Sequence, residues 1–88
     1  MRLDKFLKVS RLIKQRQKAK DICDMGSAKI NGKIVKPGHK IKPGDIIDVI
    51  VGNRQISAEI LIIPSGNVSK HDAASLIDIK EERFLNEY

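Results

Sequence analysis

The sequence predicts an α+β fold: an αα-hairpin packed on a small twisted antiparallel sheet, in the order α-α-β-β-β-β, with a short C-terminal tail. Three observations predict it. Apolar residues recur at helical spacing near the start of the chain and then at every second position through its middle. Asn31-Gly32 stands between two short alternating runs, where a two-residue turn needs positive φ at both positions. The chain has 88 residues and no internal repeat, enough for one core and no second.

The first helix is expected over residues 3–9. Leu3, Phe6 and Leu7 share one face, and Arg2, Lys5 and Lys8 fall opposite at about 100° per residue. Asp4 reads as an i,i+4 partner of the neighbouring lysines. The second helix is expected over 16–25, with Ala19, Ile22 and Cys23 as its buried stripe and Arg16 and Lys20 one turn apart beside it. Gly26 suits the left-handed position after the helix. Leu12 and Ile13 anchor the link between the helices.

The pattern then becomes that of strands. Asn31-Gly32 as a type I′ turn pairs Ile30 with Lys33 and Ala28 with Val35, with Asn31 and Gly32 only making the turn. Two Pro-Gly turns follow at 37–38 and 43–44. A strand over about 45–51 puts Ile47, Val49 and Val51 on one face. Gly52-Asn53 turns the chain into a strand over 54–63, where Ile56, Ala58, Ile60 and Ile62 alternate before Pro64 stops it. Residues 1–63 read as the domain. Residues 64–88 read as a loop and acidic extension, with a helical turn at 72–76 capped by Asp72 and a partly disordered tail.

Charge carries the first functional signal. Residues 1–42 hold 13 Lys/Arg against 3 Asp/Glu; residues 43–88 hold 4 against 8. Such asymmetry points to one face made for a polyanion, the alternative being charge that only keeps the protein soluble. Cys23 is the single cysteine, which points to a reducing compartment without an intrachain disulfide. Arg2, Asp4, Lys5 and Lys8 interrupt any N-terminal apolar run, and no stretch approaches the about 20 residues of a spanning helix. A cytoplasmic protein with no membrane partner is expected. His39 and His71 have no metal-ligand spacing, the Asp45/Asp48 pair has no nucleophile beside it, and no phosphate loop of NTPase type is present, so neither catalysis, a metal nor a cofactor is expected. Scarce aromatics, Phe6, Phe84 and Tyr88, argue against base stacking and for recognition of RNA shape and backbone.

The basic αα-hairpin followed by "GSAKINGKIVKPGHKIKPGDIIDV" resembles the S4 RNA-binding domain over residues 1–63. The start "MRLDKFLKVSRLIK" and the later "DAASL" extend the likeness to the stand-alone S4 proteins of ribosome-associated quality control, the RqcP/YabO type. The ribosome-associated heat-shock S4 protein, with a similar "RLDK" start, is a neighbour. One departure is Gln15, where many S4 domains carry a Ser or Thr that caps the second helix.

The resemblance implies an S4-like fold and a non-catalytic, ribosome-associated factor that binds rRNA and tRNA. It implies binding to obstructed large ribosomal subunits, beside the intersubunit-bridge hairpin of the rRNA, where the factor steadies P-site peptidyl-tRNA. An RqcH/NEMF-type tailing factor on the same subunit then adds template-free alanine tails. The expected protein is a monomer. The alternative is a heat-shock-like factor that recycles blocked subunits without tailing. S4 domains also occur beside catalytic domains, but only 25 residues follow Ile63.

The resemblance places Arg2 and Arg16 at the arginines that contact RNA. An arginine fork grips a phosphate through two hydrogen bonds, and Arg16 lies at a helix N-terminus, which favours anions. Lys5, Lys8, Arg11, Lys14 and Lys20 are expected to add phosphate contacts and field, with Lys33 extending the groove from the hairpin. Lys18 points away from Arg16 and either meets RNA or only contributes field. Lys29 and Lys36 either prolong the groove or keep a strand edge from pairing. His39 is a minor phosphate candidate, and Cys23 a small buried apolar residue.

Overall fold

A computed structural model describes residues 1–66 and 68–85. The helices α1 (Leu3–Val9) and α2 (Arg16–Asp24) precede strands β1 (Ala28–Ile30), β2 (Lys33–Ile34), β3 (Ile46–Val51) and β4 (Arg54–Ile60). A short helix α3 (Lys70–Ala73), a 3-10 turn (Ala74–Leu76) and β5 (Ile77–Phe84) follow. The strands form one antiparallel sheet in the order β2-β1-β3-β4-β5.

Leu3, Phe6 and Leu7 from α1 and Ala19, Ile22 and Cys23 from α2 are buried against Ala28, Ile30, Ile47, Val49, Ile56 and Ile60 of the sheet. Leu12 and Ile13 are buried between the helices, as their place in the sequence requires. The two long helices, α1 and α2, each end through a left-handed residue. After α2 it is Gly26 at φ 79°, and the Gly26 and Ser27 amides donate to the Cys23 and Ile22 carbonyls at 3.0 Å each, a Schellman closure. After α1 it is Arg11 at φ 64°, whose amide donates to the Lys8 carbonyl at 3.0 Å. An L side chain there costs about 1 kcal/mol relative to glycine. Gln15, expected to be a weaker cap than Ser or Thr, makes no side-chain cap hydrogen bond at the start of α2. No described helix is long and apolar enough to cross a membrane.

The hairpin register is the expected one: Ile30 faces Lys33, and the Val35 amide donates to the Ala28 carbonyl at 3.3 Å. Asn31 does more than turn the chain. Its Nδ2 donates to Asp45 Oδ1 at 3.1 Å, and its Oδ1 accepts from the Ile46 amide at 2.9 Å. Asp45, 4% exposed, also accepts from the Lys42 amide at 3.0 Å. This clamp ties the hairpin tip to the loop entering β3.

Beyond residue 60 the structure departs from the expected strand, cap and tail. β4 ends at Ile60, and Ile62 is half exposed. The helical turn begins at Lys70, and its cap is Ser69, whose Oγ accepts from the Asp72 amide at 3.1 Å; Asp72 is inside the helix. Most of the tail expected to be partly disordered is β5, paired with β4 from Ile60↔Ile77 to Arg54↔Phe84. Lys80 is an extra residue between the pairs Ala58↔Ile79 and Ser57↔Glu81, a bulge that breaks the alternation a strand normally shows. Polar pairs across the strands support it. Arg54 donates to Glu82 at 3.0 Å, Arg83 to Gln55 at 3.2 Å, and Lys80 lies 3.5 Å from Glu59. The expectation for the tail's last residues, 86–88, lies outside the described residues.

Candidate nucleic-acid interface

The N-terminal segment is bolted to the 37–41 loop. Leu3 N–H donates to the His39 carbonyl at 2.9 Å, Asp4 N–H to the Pro37 carbonyl at 3.1 Å, and Ile41 N–H to the Met1 carbonyl at 3.2 Å. Arg2 and Lys40 form an isolated bridge in this seam. The guanidinium of Arg2 lies over Gly38, so that a β-carbon there would sit 3.8 Å from Arg2 Cζ. The loop thus becomes the floor under an arginine far from it in sequence.

Arg16, the first residue of α2, comes to the same place. Both guanidiniums meet the carboxylate of Asp4, which is 2% exposed. Arg2 approaches through Nε to Oδ1 and Nη2 to Oδ2, both at 3.2 Å. Arg16 Nη2 is 3.6 Å from Oδ1. The arginines themselves are about half exposed, with side chains at 52% and 49%. Asp4 is therefore not the exposed partner of Lys8 that its spacing on α1 suggested. Arginines reach it from outside the helix and from α2.

The other expected cations divide into groups. Lys5, Lys8, Arg11 and Lys14 line one cleft of about 380 Å³ together with Val9, Gly66 and Val68. Arg11 and Lys14 continue into a second cleft with Lys18 and Arg54, so Lys18 joins the cationic surface. Lys20 is exposed on α2, one turn after Arg16. Lys33 lines a separate groove with His39, Lys40 and Lys42, held in shape by Asn31 and Asp45. Among the described residues Lys5, Lys8, Arg11, Lys14, Lys20 and Lys33 form no ion pair. Among those residues no carboxylate offsets their charge, which is free to act on an anion. By contrast, the acidic residues of β5 are largely paired along their own strand and with β4.

Lys40 and Lys42, absent from the sequence expectation, share the Lys33 groove. The run of lysines around the two Pro-Gly turns was the available signal; what it lacked was the docking of that loop beneath Arg2. Asp45, expected to be non-catalytic, spends its carboxylate on Asn31 and the Lys42 amide. No group of three potential metal-ligating side chains gathers among the described residues. Cys23 is buried, and burial, then the negative charges of Asp4 and Asp24, push its thiol up to about 11. It is held as a neutral thiol in the core.

A helical pair presenting exposed cations, backed by a five-stranded antiparallel sheet, suits a module that holds the phosphate backbone of a nucleic acid. The S4 domain family matches residues 1–47. Over nearly the whole length the chain is similar to proteins named RQC P-site tRNA stabilizing factor. The one from Halalkalibacterium halodurans is 43% identical over 86 residues, covering 98% of this chain and 97% of that one. The one from Bacillus subtilis is 41% identical over 87 residues, covering 99% and 100%. The trimeric structure of Vibrio cholerae Heat Shock Protein 15 superposes with a TM-score of 0.83 at 26% identity, covering 91% of this chain and 81% of that one. The chain belongs to the S4 domain family and, within it, to the RQC P-site tRNA stabilizing factors of the RqcP type.

Proposed function

We propose that this protein is a non-catalytic RNA-binding factor of ribosome-associated quality control, acting in the cytoplasm on large ribosomal subunits that still carry an obstructed nascent chain. It steadies the P-site peptidyl-tRNA against the intersubunit-bridge hairpin of the rRNA. This lets an RqcH/NEMF-type factor on the same subunit add C-terminal alanine without a template. Residues 1–63 are the binding module and 64–88 its extension, and one copy acts per subunit.

The observation that carries the reading is the half-exposed pair Arg2 and Arg16, gathered on one carboxylate in a chain so similar to named P-site tRNA stabilizing factors. Lys5, Lys8, Arg11, Lys14, Lys20 and Lys33 supply further phosphate contacts around that pair. Each phosphate these cations neutralise releases counterions from RNA, so binding weakens as salt rises. The likeness to Heat Shock Protein 15 favours a second reading, in which the factor recycles blocked subunits without tailing.

Deleting the gene and measuring alanine tails on a stalled reporter separates the two. Loss of tails, restored by the wild-type gene, supports the tailing role. Tails at the wild-type level sink it and favour recycling.

A further inference from the structure

A carboxylate on a face that binds phosphates is a liability by charge alone, since it repels the ligand and offsets a cation. Asp4 is nevertheless buried beneath the two arginines that the proposed function relies on most. We propose that Asp4 is a positioning residue for RNA binding, holding the guanidiniums of Arg2 and Arg16 together with their free edges turned outward. The inference rests on reading this face as RNA-binding.

The carboxylate is itself immobilised. Its Oδ1 accepts from the Lys5 amide at 2.8 Å, and the Asp4 amide is tied to the Pro37 carbonyl at 3.1 Å. From this anchor it takes one edge of Arg2, through Nε and one Nη2 hydrogen. The rest of the Arg2 fork stays available. Arg16 is held by a single 3.6 Å ion pair through Nη2, which leaves most of its donors for a ligand. Two guanidiniums repel each other, and a shared anion lets them stand close. An arginine ordered in advance also gives up less rotamer freedom when it grips a phosphate. Lysine cannot take its place, because an ammonium has no planar fork to be oriented.

Asp4 also serves α1, where a negative charge in the first turn suits the helix dipole. A purely structural role of that kind affects folding, not how strongly the folded protein holds RNA. A double-mutant cycle distinguishes the two. The Asp4→Asn side chain keeps an oxygen for the Lys5 amide but turns an amide donor toward a guanidinium. Binding to large ribosomal subunits carrying peptidyl-tRNA is measured in the wild-type background and in the Arg2→Gln/Arg16→Gln background.

The expected result is a loss that depends on the two arginines. In the wild-type background Asp4→Asn weakens binding about tenfold, although it makes the face more positive. In the double-glutamine background the same change leaves binding unchanged or tightens it, as Coulomb's law requires once there are no forks to hold. Tightened or unchanged binding in the wild-type background overturns the proposal, and so does equal weakening in both backgrounds. Should Asp4→Asn fail to fold by circular dichroism, Arg2→Lys and Arg16→Lys decide the matter on exposed positions. Each is expected to lose within about threefold of what its glutamine counterpart loses, and wild-type binding by either lysine variant refutes the positioning role. If the wild-type protein does not bind these subunits, the RNA reading fails, and the proposal fails with it.

Discussion

Replacing Asn31 should cost far more than a hairpin turn normally does. Asn31 has φ 52°, so an alanine there bears about 1 kcal/mol of left-handed strain that glycine avoids. Its side chain also donates to the buried carboxylate of Asp45 and accepts from the Ile46 amide. A charge-assisted bond to a carboxylate that stays behind in the core, plus one neutral bond, is worth about 2 kcal/mol together. Asn31→Gly, which removes the bonds without the strain, is thus expected to cost about 2 kcal/mol, and Asn31→Ala about 3 kcal/mol. In a domain of this size the latter lowers Tm by on the order of 15 °C. Urea unfolding of the three proteins measures both increments. If Asn31→Gly lies within about 0.5 kcal/mol of wild type, the clamp does not hold and Asn31 only makes a turn.

Further expectations concern the core, the inter-helix link and the C-terminal strand. With its thiol raised from 9.0 to about 11, Cys23 binds its proton more tightly folded than unfolded. Its contribution to stability is complete below pH 9 and is lost as pH rises toward 11. Against Cys23→Ala, wild type should lose on the order of 2 kcal/mol more over that interval, and parallel stability curves would contradict it. Arg11→Gly removes the left-handed strain together with one cation of the cleft. Stability should hold or rise by up to about 1 kcal/mol while the salt dependence of subunit binding becomes shallower by about one phosphate contact. An unchanged salt slope removes Arg11 from the interface. Leu76, 4% exposed beside the start of β5, should cost about 2–4 kcal/mol as Leu76→Ala. A loss below about 1 kcal/mol would mean that the extension is not packed on the core.

The helices, the hairpin register and the two central strands were legible because each follows a local rule: helical spacing of Leu3, Phe6 and Leu7, Gly26 after α2, Asn-Gly before Lys33, alternation from Ile47 to Ile60. β5 was not. Five of its eight residues are charged, and the Lys80 bulge breaks its period, so only the pairing with β4 reveals it. Arg2 and Arg16 stood out individually, yet their meeting did not. They are brought together on Asp4 by the contact between the two helices and by the 37–41 loop beneath Arg2, and neither is written in the spacing of the residues concerned. Asp4 was misjudged for the same reason: on α1 it has lysine neighbours, and in the folded chain it has arginines from elsewhere. Lys40 and Lys42 join the surface only because that loop docks against the N-terminal segment.

The central claim is that Arg2 and Arg16 grip RNA on large ribosomal subunits that still carry peptidyl-tRNA. Its most direct test is the affinity of wild type and of the Arg2→Ala/Arg16→Ala variant for such subunits, measured across a series of salt concentrations. Each arginine fork on a phosphate is worth about 1.5–3 kcal/mol. The double variant should therefore keep its fold and bind at least about 100-fold more weakly, with a shallower dependence on salt. A folded double variant that binds within about twofold of wild type, with a parallel salt dependence, would contradict the account.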